Sequence, residues 1–230
     1  MIARQVQHPQ TLAHLGVVET QTLMPQQQKT KPPLLKSANL YIRTCVKYPL
    51  RAYFHSYEEY IHGLWLESDP HVIAFIPQPY TLYCDHRLYI PDCHVLTDRG
   101  IRVVEIKPLG KPMWPSPQLL ETFFAEERMA FELLSNDAVM VHETTALRWR
   151  RLVQVLASSN ARYLDTSVEE AQLVAELTAS RTAVLGDILS PLKRPAHSRT
   201  EIALYRLIHR HAIHVDLDVR ALSYDSQVWI

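Results

Sequence analysis

Pro91-Asp92 is followed, thirteen residues after the aspartate, by Glu105-Ile-Lys107 at the end of the apolar run Val103-Val-Glu-Ile-Lys. Side chains on a strand alternate with period two, so Glu105 and Lys107 share a face. Asp92, Glu105 and the carbonyl of Ile106 offer hard oxygen donors of the kind Mg2+ selects, with Mn2+ as a substitute. That combination suits phosphodiester hydrolysis, where cations neutralise the phosphate, activate a water and stabilise the leaving oxygen. Lys107 can position that water, deprotonate it or stabilise the developing charge, and the residues alone leave these roles open.

Several elements must bring these groups together. Residues 56–68 carry Tyr57, Tyr60, Ile61, Leu64 and Trp65 at helical spacing, interrupted by Gly63 and ended by Asp69-Pro70. Strand-like runs follow at 71–76, 80–84 and 87–90, the last two joined through Asp85-His86 as a tight hairpin. Two more, 92–96 and 101–106, flank Thr97-Asp-Arg-Gly100. After a Pro-rich gap at 108–117, the pattern predicts a helix over 119–134, a strand over 138–142 and a helix over 144–159. The order is that of a layered α/β fold.

Beyond residue 160 the composition changes. Thr166-Ser-Val-Glu169-Glu170 predicts a capping box opening a helix over 171–178, followed by short helices at 182–189 and 199–211. Two alternating runs at the C-terminal end then predict a hairpin, and three helices before a hairpin is the order of a winged helix-turn-helix. Arg199, Arg206 and Arg210 share one side of the third helix. They are candidates for DNA or partner contact, against a solvated amphipathic face. His209-Arg-His211-Ala-Ile-His214 reads as a solvated helix end instead of a metal cluster, since no acidic or cysteine partner stands at ligand spacing.

Composition narrows the class. With 47% hydrophobic and 21% charged residues, the 230-residue chain has enough apolar material for a core and is not of the disordered type. Cys45, Cys84 and Cys93 have neither an even count nor CxxC spacing, which argues against a disulfide framework and for a reducing compartment. No apolar run approaches the roughly 18 residues of a membrane span, and the start of the chain is too polar for a secretory signal. Charge is uneven: residues 1–53 hold seven Lys/Arg and one acid, 54–143 six and fourteen, 144–230 eleven and nine. A basic segment beside an acidic centre is compatible with nucleic-acid binding around a carboxylate metal site. The expected division is a flexible basic lead-in over 1–35, a catalytic domain over 36–160 and a winged-helix-like domain over 161–230.

Five motifs in order carry a resemblance: Ser56-Tyr-Glu-Glu59, Leu66-Glu-Ser-Asp-Pro-His-Val72, Gln78-Pro79, Pro91-Asp92 and Glu105-Ile-Lys107-Pro108. Over residues 56–108 the chain resembles the TnsA endonucleases, the DNA-cutting subunits of heteromeric cut-and-paste transposases. The resemblance implies a restriction-endonuclease-like fold in which Glu59 joins Asp92, Glu105 and Lys107, although Glu58 is equally acidic; Gln78 is either a motif residue or a strand-end hydrogen bonder. It implies Mg2+-dependent cutting of the non-transferred strand at transposon ends, in double-stranded DNA. The implied partners are an integrase-like transposase and an AAA+ ATPase, in a cytoplasmic, DNA-associated bacterial setting with no membrane. The competing readings are a restriction or repair nuclease outside any transposon, and a non-catalytic scaffold that docks the ATPase.

Overall fold

A computed structural model describes residues 2–4, 16–29, 39–189 and 198–230. The architecture is mixed α/β, and the chain divides into two compact units: 1–43, 50–63 and 71–141 in the first, 44–49, 64–70 and 142–230 in the second. The predicted break at residue 160 therefore falls at 141, with two short upstream segments joining the C-terminal unit. Among the described residues no helix is long and apolar enough to cross a membrane.

The first unit is built on β5 (Val72–Pro77), β8 (Cys93–Thr97), β9 (Gly100–Lys107) and β10 (Met129–Ser135), in spatial order β10-β9-β8-β5. β5 and β8 pair antiparallel, as do β8 and β9, whereas β10 runs parallel to β9. Val103 and Val104 are both fully buried, so β9 is covered on both faces and reads as a continuous apolar run. A second sheet is ordered β1 (Ile2–Arg4), β2 (Val18–Thr20), β6 (Leu82–Cys84), β7 (Arg87–Tyr89), and β3 (Tyr41–Thr44) pairs with β4 (Arg51–Phe54). Asp85 and His86 both have positive φ, the conformation a two-residue primed turn demands. Helix α1 (Tyr57–Ser68) precedes β5, and α2 (Pro117–Glu126) packs Leu119, Leu120, Phe123 and Phe124 against Val103, Tyr80, Leu82 and Tyr89.

Three expectations fail here. The helix predicted over 119–134 stops at Glu126, where the chain turns through Arg128 at positive φ, and Met129–Ser135 becomes β10. Its Met-Ala-Phe-Glu-Leu-Leu composition favours a helix, but pairing with β9 outweighs that preference. The strand predicted over 138–142 is instead α3 (Asn136–Met140), capped by the Ser135 hydroxyl accepting from the Ala138 N–H. Nor are residues 16–29 a loose lead-in. β2 pairs with β6, and the backbone N–H groups of Gln26 and Gln28 donate to Pro79 and Gln78 carbonyls at 3.0 and 2.9 Å. The rest of the predicted lead-in, beyond residues 2–4, lies outside the described residues.

Gly63 sits where α1 crosses the Phe54 ring, and a Cβ there would stand 2.7 Å from two ring carbons. Phe54 is buried, so its ring has little room to withdraw. Gly63→Ala is therefore expected to destabilise the chain by about 1–3 kcal/mol, overpacking outweighing the gain of roughly 1 kcal/mol in helix propensity. Urea denaturation checks this, and a stabilised variant would contradict it.

The second unit holds α4 (Glu143–Asn160), α5 (Ser167–Ser180), β11 (Thr182–Val184), α6 (Leu185–Ile188), α7 (Ser198–His209), β12 (His214–Val215) and β13 (Gln227–Trp229). β13 lies between β11 and β12 and is antiparallel to both. Trp149, Leu152 and Leu156 of α4, Leu173 and Leu177 of α5, and Leu204 and Ile208 of α7 meet in one apolar cluster. The stretch predicted as a helix at 182–189 opens as a strand, because its first three residues pair with β13. The predicted capping box also differs: the Thr166 hydroxyl donates to Glu170 Oε1 at 2.7 Å and does not cap the helix.

Candidate active site

Asp92 stands immediately before β8 and is fixed through its backbone and its carboxylate. Its N–H donates to the Val104 carbonyl at 3.1 Å, its own carbonyl accepts from Gln78 at 2.9 Å, and its Oδ2 accepts from the Ile106 N–H at 2.7 Å. A strand residue presents its N–H and C=O to the same side, so the Ile106 carbonyl also points toward Asp92. Glu105 is almost fully buried at 1% exposure, with Lys107 Nζ 2.5 Å from Oε1 and the Tyr89 hydroxyl donating to Oε2 at 2.6 Å. The shared face expected for Glu105 and Lys107 is present.

Glu59 arrives from the first turn of α1. The Ser56 hydroxyl accepts from the Glu59 N–H at 3.1 Å, and Glu59 Oε2 accepts from the His55 N–H at 3.0 Å, a reciprocal cap. Oε2 also accepts from Gln78 Nε2 at 2.6 Å. Glu58 turns elsewhere, its Oε1 accepting from Asn136 Nδ2 at 3.0 Å. Gln78, buried and at positive φ, is thus more than a strand-end residue: its amide holds Glu59 and its backbone N–H holds Asp92. Gln27 Nε2 in turn donates to Gln78 Oε1 at 3.0 Å and to the Tyr53 carbonyl at 2.8 Å. Sequence reasoning missed Tyr89 and Gln27. Tyr89 had a signal, standing two residues before Pro91 on a strand; Gln27 had none.

Burial, then the charges of Glu105 and Glu59, push the Asp92 carboxyl well above its ordinary range. Burial also lifts Glu59, to about 7, against the lowering effect of the His55 and Ser56 hydrogen bonds and of Lys107. For Lys107 burial acts downward, but Asp92, Glu105 and Glu59 together outweigh it and raise the value, so the amine stays an ammonium. Ionising all three carboxyls around one ammonium would leave an excess of negative charge, which a bound cation would relieve.

The donor chemistry therefore fits Mg2+, which is usually held by one or two carboxylates, waters and substrate phosphate and seldom by an all-protein cage. The present arrangement is not a closed cage: among the described residues no three His, Cys, Asp or Glu side chains group as metal ligands. Glu105 is turned to Lys107 and Tyr89, one donor on each oxygen, which leaves further lone pairs to share with a cation.

The three arginines of α7 are spent within the chain. Arg199 Nε lies 2.5 Å from Glu169 Oε1, Arg206 donates to Thr166 Oγ1 at 2.6 Å and Asn160 Oδ1 at 3.0 Å, and Arg210 is paired with Glu170. Their shared side also contains the buried Ala203 and packs on α5, with Arg199 and Arg210 about half exposed. The histidine run differs from its reading too. His209 is buried at 2.7 Å from Glu67, while His211 takes a positive φ just past the helix. No protein-family model matches the chain, and no curated protein matches it.

Proposed function

We propose that the chain is a Mg2+-dependent DNA endonuclease, the subunit of a heteromeric transposase that cuts the non-transferred strand at transposon ends. The observation that carries the reading is the placement of Asp92 and Glu105 across the β8–β9 pair, with Lys107 on Glu105 and Gln78 linking Glu59 to Asp92. The strand order β10-β9-β8-β5 with α1 and α2 supports a restriction-endonuclease-like core. The succession α5, β11, α6, α7, β12, β13 supports a winged-helix-like second domain. The transposon setting, with an integrase-like transposase and an AAA+ ATPase as partners, rests on the five ordered sequence motifs.

In this reading Asp92, Glu105 and the Ile106 carbonyl would hold the cation, with Glu59 completing the carboxylate set. When bound, the cation supplies a more acidic water and neutralises phosphate charge. Lys107, already an ammonium, would act as an electrophile that stabilises developing phosphate charge and not as the base. Gln78 keeps Glu59 oriented, and Tyr89 and Lys107 hold Glu105.

The purified chain with its partner transposase, transposon-end duplex and Mg2+ is expected to nick only the non-transferred strand; EDTA should stop the reaction and added Mg2+ restore it. Cleavage that persists in EDTA would overturn the reading. The hold of Tyr89 and Lys107 on Glu105 favours a second reading, a scaffold whose cluster is structural. Calorimetry showing no heat with Mg2+ or Mn2+ would select it.

A further inference from the structure

On the surface of the first unit a guanidinium lies over an indole. Arg87 Cζ stands 4.0 Å from the centroid of the Trp114 ring, within cation–π range. Arg87 is exposed, no ion pair with an acid is described for it, and Trp114 keeps 38% of its surface open. Within the first unit this pair is linked to the carboxylate cluster through both of its attachments.

The first attachment is β7. Arg87 and Tyr89 are two residues apart on that strand, hence on one face and roughly 7 Å apart along it. The Tyr89 hydroxyl ends on Glu105. The second is the loop that leaves Lys107, which is held at several points. Lys111 N–H closes a turn on the Pro108 carbonyl at 3.2 Å, Met113 packs against the apolar cluster, and the Ser116 hydroxyl caps α2 by accepting from Leu119 N–H at 3.3 Å. Trp114 is therefore presented by an anchored loop, and Lys111 is exposed on the same loop.

We infer that Arg87, laid on Trp114 and accompanied by Lys111, is a DNA-backbone subsite that seats a phosphate next to the one being cut. This rests on the nuclease reading above and extends it. Contact with the ring restrains the guanidinium while Arg87 stays exposed, an arrangement suited to binding phosphate oxygens. A lysine at the same place would keep the charge and lose the fork.

The test is duplex binding by the full chain in EDTA, read by fluorescence anisotropy over a salt series, so that no cutting competes. Arg87→Gln should weaken binding roughly tenfold, the size of one charge-assisted hydrogen bond, and make the salt slope shallower by about one counterion. Trp114→Ala keeps every charge, so it should weaken binding with the slope unchanged, while Trp114→Phe stays near wild type. Arg162→Gln, an exposed arginine of the second unit, removes the same charge and should have little effect. All four should melt like the wild type. If Arg87→Gln matches the wild type, or Arg162→Gln loses as much, the subsite is overturned while the nuclease reading stands. Wild-type chain that binds no duplex, with its partner transposase present as well, overturns both.

Discussion

Asp92→Asn is expected to lower Mg2+-dependent cutting by at least about a thousandfold while leaving the chain as stable as the wild type, or more so. The two effects share one cause. The Asp92 carboxyl is crowded by burial and by the charges of Glu105 and Glu59, a cost to the fold that is useful only when a cation is bound. Asparagine keeps an oxygen for the Ile106 N–H and removes the charge. The pH dependence follows with a definite sign. Glu59, whose ordinary value is 4.5, is raised to about 7 in the fold, so between those limits the native state binds more protons than the unfolded chain. Its contribution to stability is present at low pH and is lost as pH rises from about 4.5 through about 7. Asp92, raised as well, acts in the same direction from its ordinary 3.8 upward. Thermal melting of metal-free protein should show this decline in the wild type, a flatter profile in Asp92→Asn, and recovery of the wild type with Mg2+. A variant that still cuts, or a wild type whose relative stability climbs across that window, would contradict the account.

The chemistry was more legible in the residues than the architecture around it. Glu105 and Lys107 were predictable as a pair because strand alternation is local, and the Ser56–Glu59 cap was predictable because its spacing is that of a helix start. The Asp85-His86 turn and the β8–β9 hairpin followed from equally local signals. Misreadings arose where a distant partner decides. Met129–Ser135 has helical composition and becomes a strand only because β9 lies alongside it. Arg199, Arg206 and Arg210 share one side of their helix, and only the fold brings Glu169 and Glu170 of α5 to them. Tyr89 and Gln27 support Glu105 and Gln78 through contacts 16 and 51 residues apart in sequence, which no periodicity announces. Glu67 is the clearest case: it lies within a recognised motif, yet nothing in its neighbourhood reveals what it holds.

Glu67→Ala is expected to destabilise the second unit by about 3–5 kcal/mol, the cost of breaking a buried charged network from one side. Glu67 is fully buried near the end of α1. Its Oε1 accepts from the backbone N–H groups of Val46 and Lys47 at 2.7 and 3.1 Å, and its Oε2 lies 2.7 Å from Nε2 of His209, itself only 7% exposed. Lys47 returns from that segment, its Nζ donating to the carbonyls of Leu66 at 2.9 Å and Asp69 at 2.6 Å, which satisfies the end of the helix. One carboxylate therefore ties residues 44–49 and α7 to the end of α1, all inside the second unit. Alanine leaves two backbone donors and an imidazole buried without that acceptor. Glutamine keeps one acceptor oxygen and should cost less. A joint replacement of Glu67 and His209 by leucine should rescue little, unlike a simple ion pair, because the Val46 and Lys47 N–H groups remain orphaned. Denaturant titration measures the loss, and hydrogen exchange at Val46 and Lys47 locates it. A change below about 1 kcal/mol in Glu67→Ala, or full rescue by the double leucine variant, would show that the carboxylate is not the clamp described.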